Sequence, residues 1–253
     1  MARGLGAYYD PIRKVFVLLP SLTREGSEAM AGSSLPLVTH ELVHAHQDLR
    51  EGGLVGLFGN ADRTLDSALA RRCVIEGEAE VVALVALNGA NAVPQTDGMT
   101  LAGTLDRLFA GALTGAIYES GRQLAFRRHR EGGFDAVRSL WQQVPTSTEQ
   151  ILHSDKIGHD EPVAVVVPDV PGLTAAHATT IGELMLVDLL RQLGSSRLDA
   201  SLGGAGWDGD RLVVFDRGDE AGVALVWRIA WDREEDAAQF AAALAGKDRL
   251  VVH

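Results

Sequence analysis

Leu35-Pro36-Leu37-Val38-Thr39 form an apolar flank that runs into Leu42, Val43 and Ala45. That pattern predicts a helix over about 35–50 that is buried rather than solvated. A second helical stretch, from about 62 to 88, is apolar along most of its length yet carries Glu76, Glu78 and Glu80. Ahead of both lies a hairpin pattern within residues 6–20: Tyr8-Tyr9, a turn at Asp10–Lys14, then Val15–Leu19 ended by Pro20. Residues 21–33 read as a loop, the glycines between 52 and 60 as a connector, and Asn88–Gly98 as a turn-rich break. The stretch 100–142 reads as two or three helices interrupted near Gly132-Gly133. Thr146 or Ser147 offers a hydroxyl cap to a short helix, with Glu149 or Gln150 about three positions on. Beyond it come a polar loop, a strand at Val163–Val167 and an amphipathic helix at Thr180–Leu193 closed by Gly194. A hairpin of Arg211–Phe215 and Val223–Trp231 follows, then a helix at about 233–245 for which Asp232 is the expected cap. Trp207-Asp208-Gly209-Asp210 reads as the turn leading into that hairpin, its acids as turn formers.

These elements describe an α+β chain, helix-rich, with an N-terminal β-hairpin and a C-terminal strand-hairpin-helix segment. The expected organisation is a region 1–155 holding both acid- and histidine-bearing helices, with an α/β segment 156–253 packed on it in the same globular unit. Composition changes this picture little. The 253 residues are 46 % hydrophobic and 23 % charged, which excludes disorder. A net charge of −11 without a long basic cluster argues against nucleic acid as a partner. Arg127-Arg128-His129-Arg130 is the one compact basic patch and reads as a solvated helix end. Cys73 is the sole cysteine, so it forms no internal disulfide and reads as a small core residue. No signal-peptide pattern opens the chain and no apolar run reaches spanning length. The expectation is a soluble protein, either cytoplasmic or a piece of a secreted or anchored one; the pattern fixes no oligomeric state.

Candidate chemistry sits in the first of the two helices. His40, Glu41 and His44 form H-E-x-x-H. Positions i and i+4 lie nearly above one another on a helix, so His40 and His44 can present two imidazole nitrogens to one metal ion. Glu41, one step round, is near enough to hold a water on that metal, a combination suited to zinc hydrolysis. A catalytic zinc needs a third protein ligand and an open fourth position. Glu76 and Glu80 share a face of the second helix. Glu76 is the expected ligand, and Glu80 the carboxylate that accepts a hydrogen bond from a ligand histidine. Glu78 points elsewhere and reads as part of a solvated stripe. His46, His129, His159, His177 and His253 read as ordinary surface or core histidines.

H-E-x-x-H followed about thirty residues later by Glu76-Gly77-Glu78-Ala79-Glu80 resembles the gluzincin metallopeptidases, the thermolysin-like clan. More narrowly, the chain is similar to a bacterial family whose members read H-E-x-x-H-A-L-Q-D-Q, then E-G-[DE]-A, then S-T-E-Q-[IV]-L-H-P. The matching stretches are His40–Asp48, Glu76–Ala79 and Ser147–His153. Gly6–Pro11 and Ala205–Asp210 are also similar to family landmarks. His46 and Ser154 depart from the pattern, standing where an apolar residue and a proline are usual.

The resemblance implies a zincin-like core binding one Zn²⁺ ion, and hydrolysis of a peptide or protein substrate by a zinc-bound water that Glu41 activates. It makes His153, which ends the third motif, the first candidate to stabilise the oxyanion. Tyr118, matched with Gly121 to a family aromatic and glycine, is the second. It also makes the hairpin a candidate for the sheet edge that pairs with substrate, against the alternative of a plain structural strand. Two other functions fit the same residues: a non-catalytic zinc or peptide-binding module, and a zinc hydrolase acting on a non-peptide amide or ester. An intact Glu41 counts against the first, because a purely structural site has no need of it.

Overall fold

The computed structural model describes residues 7–18, 28–50, 53–55, 64–95, 112–216 and 223–245. The connector at 56–60 and the helical pattern at 100–111 lie outside the described residues. The architecture is α+β, with seven helices and two antiparallel sheets among the described residues. The chain divides into two compact units, one of residues 1–62 and 71–144, the other of 63–70 and 145–253. Ser147–His153 thereby falls in the second unit, whereas the sequence pattern counted it with the first region.

In the first unit, β1 (Ala7–Asp10) and β2 (Val15–Leu18) pair antiparallel. The turn between them is local chemistry. Asp10 Oδ1 accepts the N–H groups of Ile12 and Arg13, each at 3.0 Å, and Lys14 takes a left-handed φ of 57°. Helix α1 (Glu28–Arg50) starts well before the expected position near residue 35. Pro36 lies inside the helix, where it removes one backbone donor. Helix α2 (Leu65–Asn88) is capped by Thr64, whose hydroxyl accepts the Ser67 N–H at 3.2 Å. Ala70, Cys73, Val74, Ile75, Ala79 and Val81 are all buried, as befits a helix apolar nearly all round. Helix α3 (Ala112–Ser139) breaks from helical geometry at Gly132 and Gly133, where Gly133 takes φ 65°. Val81, Val93, Ala125, Phe126 and Val137 form a core cluster of α2, α3 and the residues after α2.

Helices α2 and α3 meet backbone to backbone. A Cβ on Gly77 would fall 2.1 Å from the Gly121 carbonyl oxygen, and one on Gly121 would fall 2.2 Å from that of Cys73. Only paired glycines allow so close an approach. It sets Tyr118, one turn before Gly121, against the face of α2 that carries Glu76.

The second unit opens with α4 (Thr148–Leu152), capped by Ser147, whose hydroxyl oxygen accepts the Gln150 N–H. The sheet has order β3-β4-β5 and is antiparallel throughout, from β3 (Thr174–Thr179), β4 (Trp207–Asp216) and β5 (Val223–Trp231). Helices α5 (Glu183–Gln192), α6 (Arg197–Gly204) and α7 (Glu234–Leu244) supply the rest of this unit. Leu186, Leu190, Ala200, Trp207 and Phe240 form its core.

Several expectations need correction here. Val163–Val167 is not a strand. Val163 N–H bonds the Asp208 carbonyl at 2.6 Å, and the strand falls at 174–179 instead. Trp207–Asp210 is the start of β4 with a bulge, not a turn. Asp210 is buried and its carboxylate collects the N–H groups of Ile181 and Gly182 and the indoles of Trp207 and Trp227. Asp232 does not cap α7: Arg233 holds the cap position with no side-chain hydrogen bond, while Asp232 pairs with Lys156 at 3.2 Å. Helix α6 had no counterpart in the sequence reading.

Candidate metal centre

Three atoms of the first unit converge. His40 Nε2 and His44 Nε2 are 3.0 Å apart, and Glu76 Oε2 lies 3.2 Å from the first and 3.3 Å from the second. A tetrahedral ion with bonds of about 2.0–2.1 Å needs ligand atoms about 3.3–3.4 Å apart, so this near-equilateral triangle fits zinc. His40, His44 and Glu76 are the one group among the described residues able to hold a metal ion in this way. The i,i+4 geometry of α1 sets the two imidazoles together, with ring centroids 4.7 Å apart and planes at 88°.

The surroundings orient these side chains. Glu80 Oε1 faces His40 Nδ1 at 3.4 Å, and Gln47 Oε1 lies 2.8 Å from His44 Nδ1. Both contacts leave Nε2 toward the triangle. Tyr118 stacks on His40, with centroids 5.9 Å apart and planes at 27°, and hydrogen-bonds Glu76. Glu41 is buried at the start of the same turn, and its Oε2 accepts the Tyr9 N–H at 2.9 Å. The hairpin is anchored a second time at Asp48, which accepts from the Tyr9 hydroxyl at 2.7 Å and from Lys14. That leaves β1 fixed along α1 beside the H-E-x-x-H turn.

Electrostatics favour a cation. Burial disfavours a charged His40, but hydrogen bonds and charge from Glu76 and Glu80 outweigh it and raise its pKa to about 10. Burial likewise pushes Glu76 up, yet His40 and His44 hold it well below the usual carboxylate range. The metal-free chain thus keeps a proton between imidazole and carboxylate, where a divalent ion would take its place. Burial raises Glu41, against the opposing pull of His44, His40 and the Tyr9 N–H. Burial and the Glu76 carboxylate push the Tyr118 phenol above its ordinary value, so it remains a donor.

His153 lies in the second unit. Its Nε2 is 3.0 Å from Glu183 Oε1, a contact that raises its pKa despite burial. The Ser147–Gln150 stretch is buried and fully engaged. Thr148 N–H and hydroxyl both donate to Asp66 Oδ1, Glu149 accepts from Lys156, and Gln150 accepts the Thr146 N–H and donates to the Asp160 carbonyl. The third motif is therefore a hydrogen-bonded knot of its own unit.

The sequence reading missed four residues of this environment. Glu78 is not on a solvated stripe: it is buried and accepts from Gln47, Arg50 and Trp141. Gln47 and Asp48 stand inside the H-A-H-Q-D string, three and four positions after His44, and that spacing on the helix was the available signal. Trp141 carried none.

A family model described as a domain of unknown function (DUF8575) matches residues 170–247. The match covers the sheet β3-β4-β5 and helices α5–α7, and leaves out both helices that carry the triangle. No curated protein and no solved structure matches the chain.

Proposed function

We propose that the chain is a zinc-dependent metallopeptidase of gluzincin type, with a zincin-like core in its first unit. One observation carries this reading: the triangle of His40, His44 and Glu76 stands beside a buried Glu41 held by the Tyr9 backbone. Zinc, when bound there, would acidify a water and polarise the scissile carbonyl. Glu41 is the group that takes up the proton and returns it to the leaving amine. Tyr118 is the donor to the developing oxyanion; of the two candidates it is the one whose contacts include a ligand residue.

The test pairs metal analysis with one isosteric change. Wild-type protein and Glu41→Gln are assayed for bound zinc and for cleavage of a mixed peptide library. The expected result is stoichiometric zinc in both and cleavage only in wild type. Zinc without Glu41-dependent cleavage of any substrate would leave a binding module, and activity confined to esters or non-peptide amides would replace the peptidase reading with the other hydrolase.

A further inference from the structure

We propose that Gln47, locked by Glu78, is the positioning residue that fixes the tautomer and pitch of His44 and so turns its Nε2 toward the metal position. Gln47 is fully buried. Its amide nitrogen lies 2.9 Å from the Ile75 carbonyl and 3.0 Å from Glu78 Oε2, and both of those atoms can only accept. The amide orientation is thereby settled: Oε1 is the atom 2.8 Å from His44 Nδ1. A carbonyl oxygen cannot donate, so Nδ1 is the protonated nitrogen, and in the neutral ring this leaves the lone pair on Nε2.

Glu78 is what prevents Gln47 from flipping. Arg50 bonds both of its oxygens at 3.0 Å, and the Trp141 indole donates to Oε2 at 2.7 Å. Arg50 also lies over the Trp141 ring, 5.5 Å from its centroid. A carboxylate saturated in this way has no freedom to offer Gln47 another arrangement. The relay draws on α1 for Gln47 and Arg50, on α2 for Ile75 and Glu78, and on the segment after α3 for Trp141. It acts on the imidazole that Glu80 does not reach.

This inference rests on the zinc reading, and its test separates the two. In ¹⁵N-histidine-labelled protein without metal, long-range ¹H–¹⁵N spectra report which nitrogen of His44 is protonated. Zinc affinity is measured separately by competition with a chromophoric chelator. The variants are Gln47→Met, similar in length but without polar atoms, and Glu78→Gln. Gln47→Met is expected to release the Nδ1–H tautomer and to weaken zinc by about 10- to 100-fold. Glu78→Gln, which sets an amide against the donors of Arg50 and Trp141, frees Gln47 to turn and is expected to give the same two changes; an unchanged tautomer there removes Glu78 from the relay. An unchanged tautomer in Gln47→Met, or unchanged zinc affinity with the tautomer lost, overturns the proposal. If wild type binds no zinc, the metal reading fails, while the tautomer comparison still decides the relay. If Gln47→Met does not fold, Trp141→Phe removes one donor to Glu78 from a partly exposed side chain and is expected to give the same changes in milder form.

Discussion

Gly121→Ala tests the packing on which the site depends. On an unconstrained helix this change stabilises, because alanine exceeds glycine in helix propensity by about 0.8–1 kcal/mol. Here the new Cβ would fall 2.2 Å from the Cys73 carbonyl oxygen and 2.9 Å from its carbon. Ordinary contact begins at 3.4 Å, so the two helices must part by about 1.2 Å, the difference between 3.4 and 2.2 Å. Neither opposing atom belongs to a flexible side chain that could swing aside. Overpacking of this kind costs about 1–3 kcal/mol, and against backbone the upper part of that range applies, so the net effect is destabilising by about 1–2 kcal/mol. The site suffers with it. Tyr118 lies one turn from Gly121, and Glu76 adjoins Gly77, whose own Cβ would meet the Gly121 carbonyl oxygen at 2.1 Å. Zinc geometry tolerates only about 0.2 Å of ligand displacement. Urea unfolding monitored by circular dichroism, together with chelator competition for zinc, reads both effects. A Gly121→Ala protein more stable than wild type, with zinc affinity intact, would show that α2 and α3 are not in backbone contact and would refute this account of how Tyr118 reaches Glu76.

The remaining expectations follow from single side chains. Glu76→Ala is expected to release zinc, as read by metal analysis after dialysis; full occupancy would mean the third ligand lies elsewhere. Tyr118→Phe is expected to keep zinc and lose about 10²-fold in kcat, the scale of one oxyanion donor, and an unchanged kcat would remove Tyr118 from the mechanism. Asp66→Asn addresses pH. Burial, with the nearby charges of Asp210 and Glu183, raises Asp66 from 3.8 to about 6 against its hydrogen bonds from Thr148. The folded chain therefore holds this proton more tightly than the unfolded chain. That contribution is complete below about pH 4 and is lost as pH rises through 6, on the order of 3 kcal/mol. Asparagine does not ionise, so the stability of Asp66→Asn relative to wild type should rise by that order between pH 4 and 7. A difference that stays flat in paired denaturation curves would show that Asp66 is not held protonated.

Much of the chain was legible because its causes are local. The i,i+4 spacing of His40 and His44 needs only an α-helix to bring the rings together, and the all-round apolar character of 65–88 requires burial whatever surrounds it. The Asp10 turn, the Ser147 cap and the break at Gly132-Gly133 depend on a few bonds within four residues. The triangle itself needed more: the face shared by Glu76 and Glu80 set only Glu78 apart, and the packing of α2 on α1 brought Glu76 to the two Nε2 atoms and Glu80 to His40 Nδ1.

Tertiary structure decided the rest wherever a residue's environment comes from distant chain. Val163–Val167 has the composition of a strand, yet backbone partners at β4 were taken by Thr174–Thr179 instead. Asp210 looked like a turn residue until two backbone amides and two indoles, up to 29 positions away, enclosed it. Glu78 differs from Glu76 and Glu80 only by its position round the helix, and its burial depends on Arg50 and Trp141 arriving from either side. A buried charge is stable only when every lone pair is met, and no local pattern records whether the partners will come. The sequence by itself determined which residues could bind a metal on a helix. The meeting of α1, α2 and α3 decided which of the surrounding acids and amides would hold those residues in place.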